Sequence, residues 1–108
     1  MTEEILLIDN QDDLERLFSD GQIQLFQIGT RRIAVAKWHQ EYFAFDNHCP
    51  HADYPLNQGK LSPSGAVVCR WHNYMFSLRS GKEAENRCKN LKTYPVALKA
   101  DGALMLYL

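Results

Sequence analysis

The sequence predicts an all-β domain, a small sandwich or barrel of short strands with one short helix near its N-terminus. Two observations carry this expectation. Short apolar segments recur along the chain with turn residues between them, at Gly29-Thr30, His39-Gln40-Glu41, Ser80-Gly81 and Ala100-Asp101-Gly102. Strands at such spacing with tight turns pack as sandwiches or barrels. Helical spacing is brief, confined to Leu14, Leu17 and Phe18.

Taken in order, residues 4–8 (Glu-Ile-Leu-Leu-Ile) read as an opening strand. Asn10 is an N-cap, because its side-chain oxygen can accept from an unpaired amide of the first turn. Asp12 and Asp13 favour that positive helix end. Leu14, Leu17 and Phe18 then share one face, and Asp20-Gly21 stops the helix. Residues 23–28, 33–38 and 42–46 follow as strands. Residues 47–66 break the rhythm with Pro50, Pro55, Pro63 and two glycines. Residues 66–70 and 74–78 are two further short strands around Trp71-His72-Asn73. Residues 82–93 are polar and basic and read as an exposed loop. Residues 94–98 and 103–108 form a closing hairpin around Ala100-Asp101-Gly102.

At 108 residues the chain is one domain. A domain of this size buries a modest share of its surface, so a bound group would help to stabilise it. No apolar run approaches the roughly 20 residues of a membrane helix. The acidic start, MTEEILLIDNQDD, lacks the basic and apolar regions of a secretory signal, and the expected location is the cytoplasm. The net charge of −1 argues against nucleic acid as a partner. The charge is unevenly placed. Residues 1–59 hold 4 Lys/Arg and 10 Asp/Glu, and residues 60–108 hold 8 and 3. This is either two solvated faces that cancel or a dipole that orients a docking protein. Three cysteines are an odd set, which speaks against a disulfide framework.

The chemistry lies in two segments, Cys49-Pro50-His51 and Cys69-Arg70-Trp71-His72. Each offers one soft thiolate and one imidazole where a strand gives way to a loop, so two loop tips can meet over one centre. Zinc is chemically possible, but zinc fingers pair Cys with Cys and His with His at short spacing. Here each pair is mixed. A mixed pair suits a binuclear cluster with two thiolates on one iron and two imidazoles on the other, the ligand division of Rieske centres.

The sequence resembles Rieske domains, and among them the soluble Rieske ferredoxins that serve oxygenases. Asn47-His48-Cys49-Pro50-His51, Leu56 and Gly59 are similar to the first cluster loop; Cys69-Arg70-Trp71-His72, Phe76 and Gly81 are similar to the second. Tyr94-Pro95-Val96 and the last hairpin resemble the closing strands. The resemblance implies a Rieske fold of antiparallel sheets, a single domain over 1–108 with a cluster-binding subdomain at 47–81. It implies a 2Fe–2S cluster held by Cys49, His51, Cys69 and His72. It further implies a one-electron carrier, not an enzyme, that takes electrons from a flavin-containing reductase and passes them to an oxygenase. His51 and His72 would face the partner, and the carrier would be a monomer. Two other readings stand beside it: a small Rieske-like subunit of a larger reductase such as assimilatory nitrite reductase, whose counterparts resemble Rieske domains without the ligands, and a zinc-binding interaction module that uses the same two cysteines and two histidines.

Departures from the family pattern sharpen the expectation. Asp53 and Asn73 stand where the family often has glycine. If the backbone there needs a positive φ, they are the next most tolerant residues. The respiratory type has a disulfide between its cluster loops, and Tyr54 and Trp71 occupy those positions. Its two hydroxyl donors are replaced by Tyr74 and Phe76, and Phe76 cannot donate. With fewer donors the added electron is less stabilised, so the expected potential is low, roughly −150 mV. Family prolines that cover the cluster are missing from the loop around Cys88. Cys88 itself is an ordinary free thiol or, beside Arg87 and Lys89, one of low pKa. His48 and His39 read as loop and turn residues. Trp71 and Tyr74 are either partner contacts or shielding for the cluster. Arg70, Arg79, Lys82, Arg87 and Lys89 form either a docking rim or a solvated face.

Overall fold

A computed structural model describes residues 3–108. Its strands are β1 (Glu4–Ile8), β2 (Ile23–Ile28), β3 (Arg31–Trp38), β4 (Glu41–Asp46), β5 (Lys60–Leu61), β6 (Ala66–Val68), β7 (Met75–Ser77), β8 (Thr93–Tyr94), β9 (Val96–Leu98) and β10 (Leu104–Tyr107). One helix, α1 (Gln11–Leu17), follows β1, and a single 3-10 turn covers Leu56–Gln58. Strand pairing is antiparallel throughout.

The centre of the fold is legible in β3. Its run Ile33-Ala34-Val35-Ala36 is apolar without alternation, and all four residues are fully buried. Such a strand must be covered on both faces. Ile33 and Val35 join a core with Leu14, Phe18, Leu104 and Leu106 beneath α1 and the β1-β10-β9 sheet. Ala34 and Ala36 point the other way, into a core with Phe45, Leu56, Val67, Phe76, Cys49 and Cys69. The four-stranded sheet β2-β3-β4-β8 is therefore a middle layer, and the small sheet β5-β6-β7 closes the second core. The expected all-β sandwich with one helix is what the chain forms.

The Asn10 cap is present: its side-chain oxygen accepts from the Asp13 amide at 2.8 Å. The helix ends sooner than expected, at Leu17. Phe18 is extended (φ −123, ψ 118), so it reaches the core outside the helical period while Leu17 turns outward. The expected strand 94–98 is two strands. Thr93–Tyr94 pairs with β4 and Val96–Leu98 with β10. Pro95 between them has no amide to give to a ladder and passes the chain from one sheet to the other.

Residues 82–92 form a largely exposed loop, as expected, but two of its side chains turn inward. Glu83 and Leu91 are buried. The segment folds back on β7, with the Ala84 amide donating to the Met75 carbonyl at 2.9 Å and the Leu91 amide to that of Gly81 at 2.8 Å. Among the described residues no helix is long and apolar enough to cross a membrane.

Candidate metal centre

Two loops of the same build meet at one end of the β5-β6-β7 sheet. In the first, the Cys49 amide donates to the Tyr54 carbonyl at 2.8 Å. In the second, the Cys69 amide donates to the Tyr74 carbonyl at 2.8 Å. Each loop turns back through a left-handed residue four places after its cysteine: Asp53 at φ 54 and Asn73 at φ 57. His72 is left-handed too, at φ 66. Asp and Asn enter this region more readily than other non-glycine residues, so the substitutions for glycine are compatible with the loop form. Buried Asn47 ties the first loop down. Its amide donates to the Asn57 side chain at 2.9 Å, and its oxygen accepts the Asn57 backbone amide at 2.7 Å.

This framework brings the four expected donors together as two pairs. Cys49 and Cys69 are both buried, in the same core cluster, with no disulfide between them. Burial, together with the neighbouring Cys49 thiol, pushes the Cys69 thiol up to about 11, against an opposing pull from the Trp71 amide. The His51 and His72 rings lie beside each other, centroids 5.5 Å apart. His72 is exposed. His51 is half-buried, and its Nδ1 is enclosed without a hydrogen-bond partner. Native folds rarely leave a buried polar atom unpaired, and one that is demands an explanation. A ligand nitrogen awaiting a metal is such an explanation. Two adjoining thiols and two adjoining imidazoles, one with an orphaned nitrogen, fit a group that takes sulfur on one side and nitrogen on the other. Among the described residues, no three His, Cys, Asp or Glu side chains close around a single point as a mononuclear ion needs.

The remaining expectations divide. Trp71 is exposed, its ring lying parallel to that of Tyr54 with centroids 6.3 Å apart. Tyr74 is half-buried and covers the site instead: its ring stacks on His51 at 3.8 Å and 14°. His48 and His39 are exposed, in a loop and a turn as expected. The low-pKa alternative for Cys88 is not met, because burial and the Cys49 and Glu83 charges raise its pKa. The basic rim is interrupted. Arg79 pairs with Glu41 at 3.0 Å, and Arg87 with Glu83 at 2.7 Å.

An all-β domain with paired thiols and paired imidazoles on twin loops defines a small metal–sulfur protein. The chain belongs to the Rieske 2Fe-2S domain family, whose family model matches residues 5–95. It is similar to the ferredoxin component of the alkene monooxygenase system of Xanthobacter autotrophicus, 28% identical over 89% of this chain and 83% of that one. It is 35% identical to the ferredoxin component of biphenyl 2,3-dioxygenase from Rhodococcus jostii, over 79% of each chain. Among solved structures, the carbazole 1,9a-dioxygenase ferredoxin of Nocardioides aromaticivorans superposes with a TM-score of 0.79 over 95% of both chains at 18% identity. A putative NADH-dependent nitrite reductase small subunit from Mycobacterium tuberculosis superposes at 0.84, over 100% of this chain and 96% of that one, at 13% identity. A carbazole 1,9a-dioxygenase ferredoxin in complex with its oxygenase superposes at 0.72, over 82% and 91%, at 22% identity. At these identities the structures show the fold.

Proposed function

We propose that this chain is a one-electron carrier whose 2Fe–2S group is held by the Cys49 and Cys69 thiolates on one iron and the His51 and His72 imidazoles on the other. The observation that carries this reading is the pairing of buried thiol with thiol and imidazole with imidazole on two loops of equal build. Such a group, when bound, takes up and releases one electron. The chain's own part is to exclude water from the sulfur side, where both cysteines are buried, and to present His72 at the surface.

The partner is an oxygenase, the kind of system in which the ferredoxin relatives work, and the donor is a flavin-containing reductase. Docking falls at the His72 tip, where Trp71 offers an exposed aromatic face of the type that anchors interfaces. The ligand-bearing unit is residues 47–81 within a single domain, and the carrier acts as a monomer in the cytoplasm. Phe76, fully buried, offers no hydroxyl to the site, which supports a potential at the low end of the Rieske range.

The reading is tested on the purified protein by iron and acid-labile sulfide content and by the electron-paramagnetic spectrum after reduction. Two irons, two sulfides and an average g below that of all-thiolate clusters are expected. A colourless protein with one zinc and no sulfide overturns it in favour of a zinc module.

A further inference from the structure

The segment that lacks the family's covering prolines builds a cover of another kind. Glu83 is buried, with a side chain 0% exposed. Its carboxylate accepts three hydrogen bonds from Arg87: the backbone amide at 2.7 Å, Nε at 3.0 Å and Nη2 at 2.7 Å. A fork-to-fork pair of this kind fixes the guanidinium plane as well as its place. The fixed guanidinium lies over the ring of Tyr74, 3.8 Å from its centroid. The other relationship of Tyr74 is with His51, stacked at 3.8 Å and nearly parallel. A buried carboxylate, a guanidinium, a phenol and an imidazole are thus in contact one after the next, and the last carries the orphaned Nδ1.

We propose that Glu83, Arg87 and Tyr74 form a clamp that sets the plane of the His51 imidazole and holds a fixed cation behind it. The proposal rests on the reading of His51 as a ligand. Three physical consequences follow. His51 loses the freedom to rotate about its side-chain bonds, so its nitrogen stays aimed at the centre. The stack covers one side of the site against water. The guanidinium, the member of the pair that lies on the Tyr74 ring, favours the state with one more negative charge. Arg87 and Tyr74 are positioning residues, acting through His51.

The test compares the wild-type protein with Arg87→Gln, Arg87→Lys, Tyr74→Phe and Tyr74→Ala, all loaded with cluster. The readouts are the midpoint potential and the rate at which a chelator bleaches the colour. Arg87→Gln is expected to lower the potential and to bleach about tenfold faster, the factor that ~1.4 kcal/mol corresponds to. Arg87→Lys keeps the charge without the planar fork, so it bleaches faster with the smaller change in potential. Tyr74→Phe keeps the ring and behaves as wild type, whereas Tyr74→Ala bleaches as Arg87→Gln does. Adding Arg87→Gln to Tyr74→Ala brings no further loss, since one contact chain is already broken. In the cluster-free chain, exchange of the Arg87 amide is slow and becomes fast in Glu83→Gln. Wild-type protein that binds cluster, with Arg87→Gln unchanged in both potential and bleaching, overturns the clamp alone. Wild-type protein that binds no iron and sulfide overturns the ligand reading beneath it.

Discussion

Gly81 lies so close to Leu91 that a Cβ built on the glycine would come within 2.0 Å of the Leu91 carbonyl oxygen. The same glycine has φ 76, a left-handed backbone that a side chain strains. The contact is where the segment 82–91 is pinned to the body of the fold, because the Leu91 amide donates to the Gly81 carbonyl. Gly81→Ala should therefore cost about 2–4 kcal/mol from strain and overlap together. Urea denaturation of the cluster-free chain measures this, and a cost under about 0.5 kcal/mol would contradict the close approach. Gly59, whose Cβ would meet the Val68 carbonyl at 2.1 Å, should respond similarly.

Asp53 and Asn73 hold the left-handed turns of the twin loops. Glycine adopts that backbone freely, and a β-branched residue adopts it poorly. Asn73→Gly should change stability by less than about 1 kcal/mol, whereas Asn73→Val should cost about 1–3 kcal/mol. Thermal melts of both variants check the pair. Equal melting temperatures would mean the turn does not require a positive φ.

These two cases show what a sequence can reveal and where it stops. The thiol and imidazole pairs were legible because each loop's donors are neighbours in the chain, as were the backbone demands on Asp53 and Asn73. The central place of β3 was written in its unbroken apolar run. Within residues 82–91 the inward turn of Glu83 and Leu91 was missed because the polarity of the segment suggested solvent throughout. Glu83 is buried only because Arg87 answers it, and a carboxylate and guanidinium four residues apart look like an ordinary surface pair. Tyr74 reaches His51 through the meeting of two loops distant in sequence, which no local spacing encodes. The break at Pro95 did have a signal, the missing amide of a proline inside an apparent strand.

His72 offers the most direct probe of ligand identity. Imidazole ligation is what raises a Rieske potential above that of an all-thiolate cluster. His72→Cys should lower the midpoint potential in protein that still assembles a cluster. Protein-film electrochemistry reads the change, and a higher potential would refute the assignment of His72.

Trp71 separates docking from redox tuning. Its ring is exposed, lying between Tyr54 (centroids 6.3 Å apart) and the surface ring of His72 (5.0 Å) rather than in the core. Trp71→Ala should weaken binding to the electron acceptor by about 1–2 kcal/mol, roughly five- to thirty-fold, with the midpoint potential unchanged. Titration calorimetry with the acceptor, beside a potential measurement, distinguishes this from Trp71 serving as cluster shielding, which would move the potential.

Alkaline pH should loosen the junction of β4 and β8 through one phenol. The Tyr94 hydroxyl donates to Oδ1 of Asp46 at 2.5 Å, and the side chain is buried. Burial, reinforced by that hydrogen bond and by the Asp46 charge, pushes the phenol up to about 12, against a small opposing effect of Arg31. The sign follows from proton binding. Below about pH 10 the phenol is neutral in folded and unfolded chains alike, and Tyr94 adds no pH dependence. Between about 10 and 12 the unfolded chain releases the proton and the folded chain keeps it, so the unfolded state gains. The loss reaches about 2–3 kcal/mol once the pH passes the folded value, at roughly 1.4 kcal/mol per unit of difference. Tyr94→Phe should be about 1–2 kcal/mol less stable at neutral pH, because Asp46 loses its donor. Above pH 10 its stability should fall less steeply than that of the wild type. Urea titrations of both proteins from pH 8 to about 11.5 make the comparison, and parallel declines would show that the Tyr94 proton is not held more tightly by the fold.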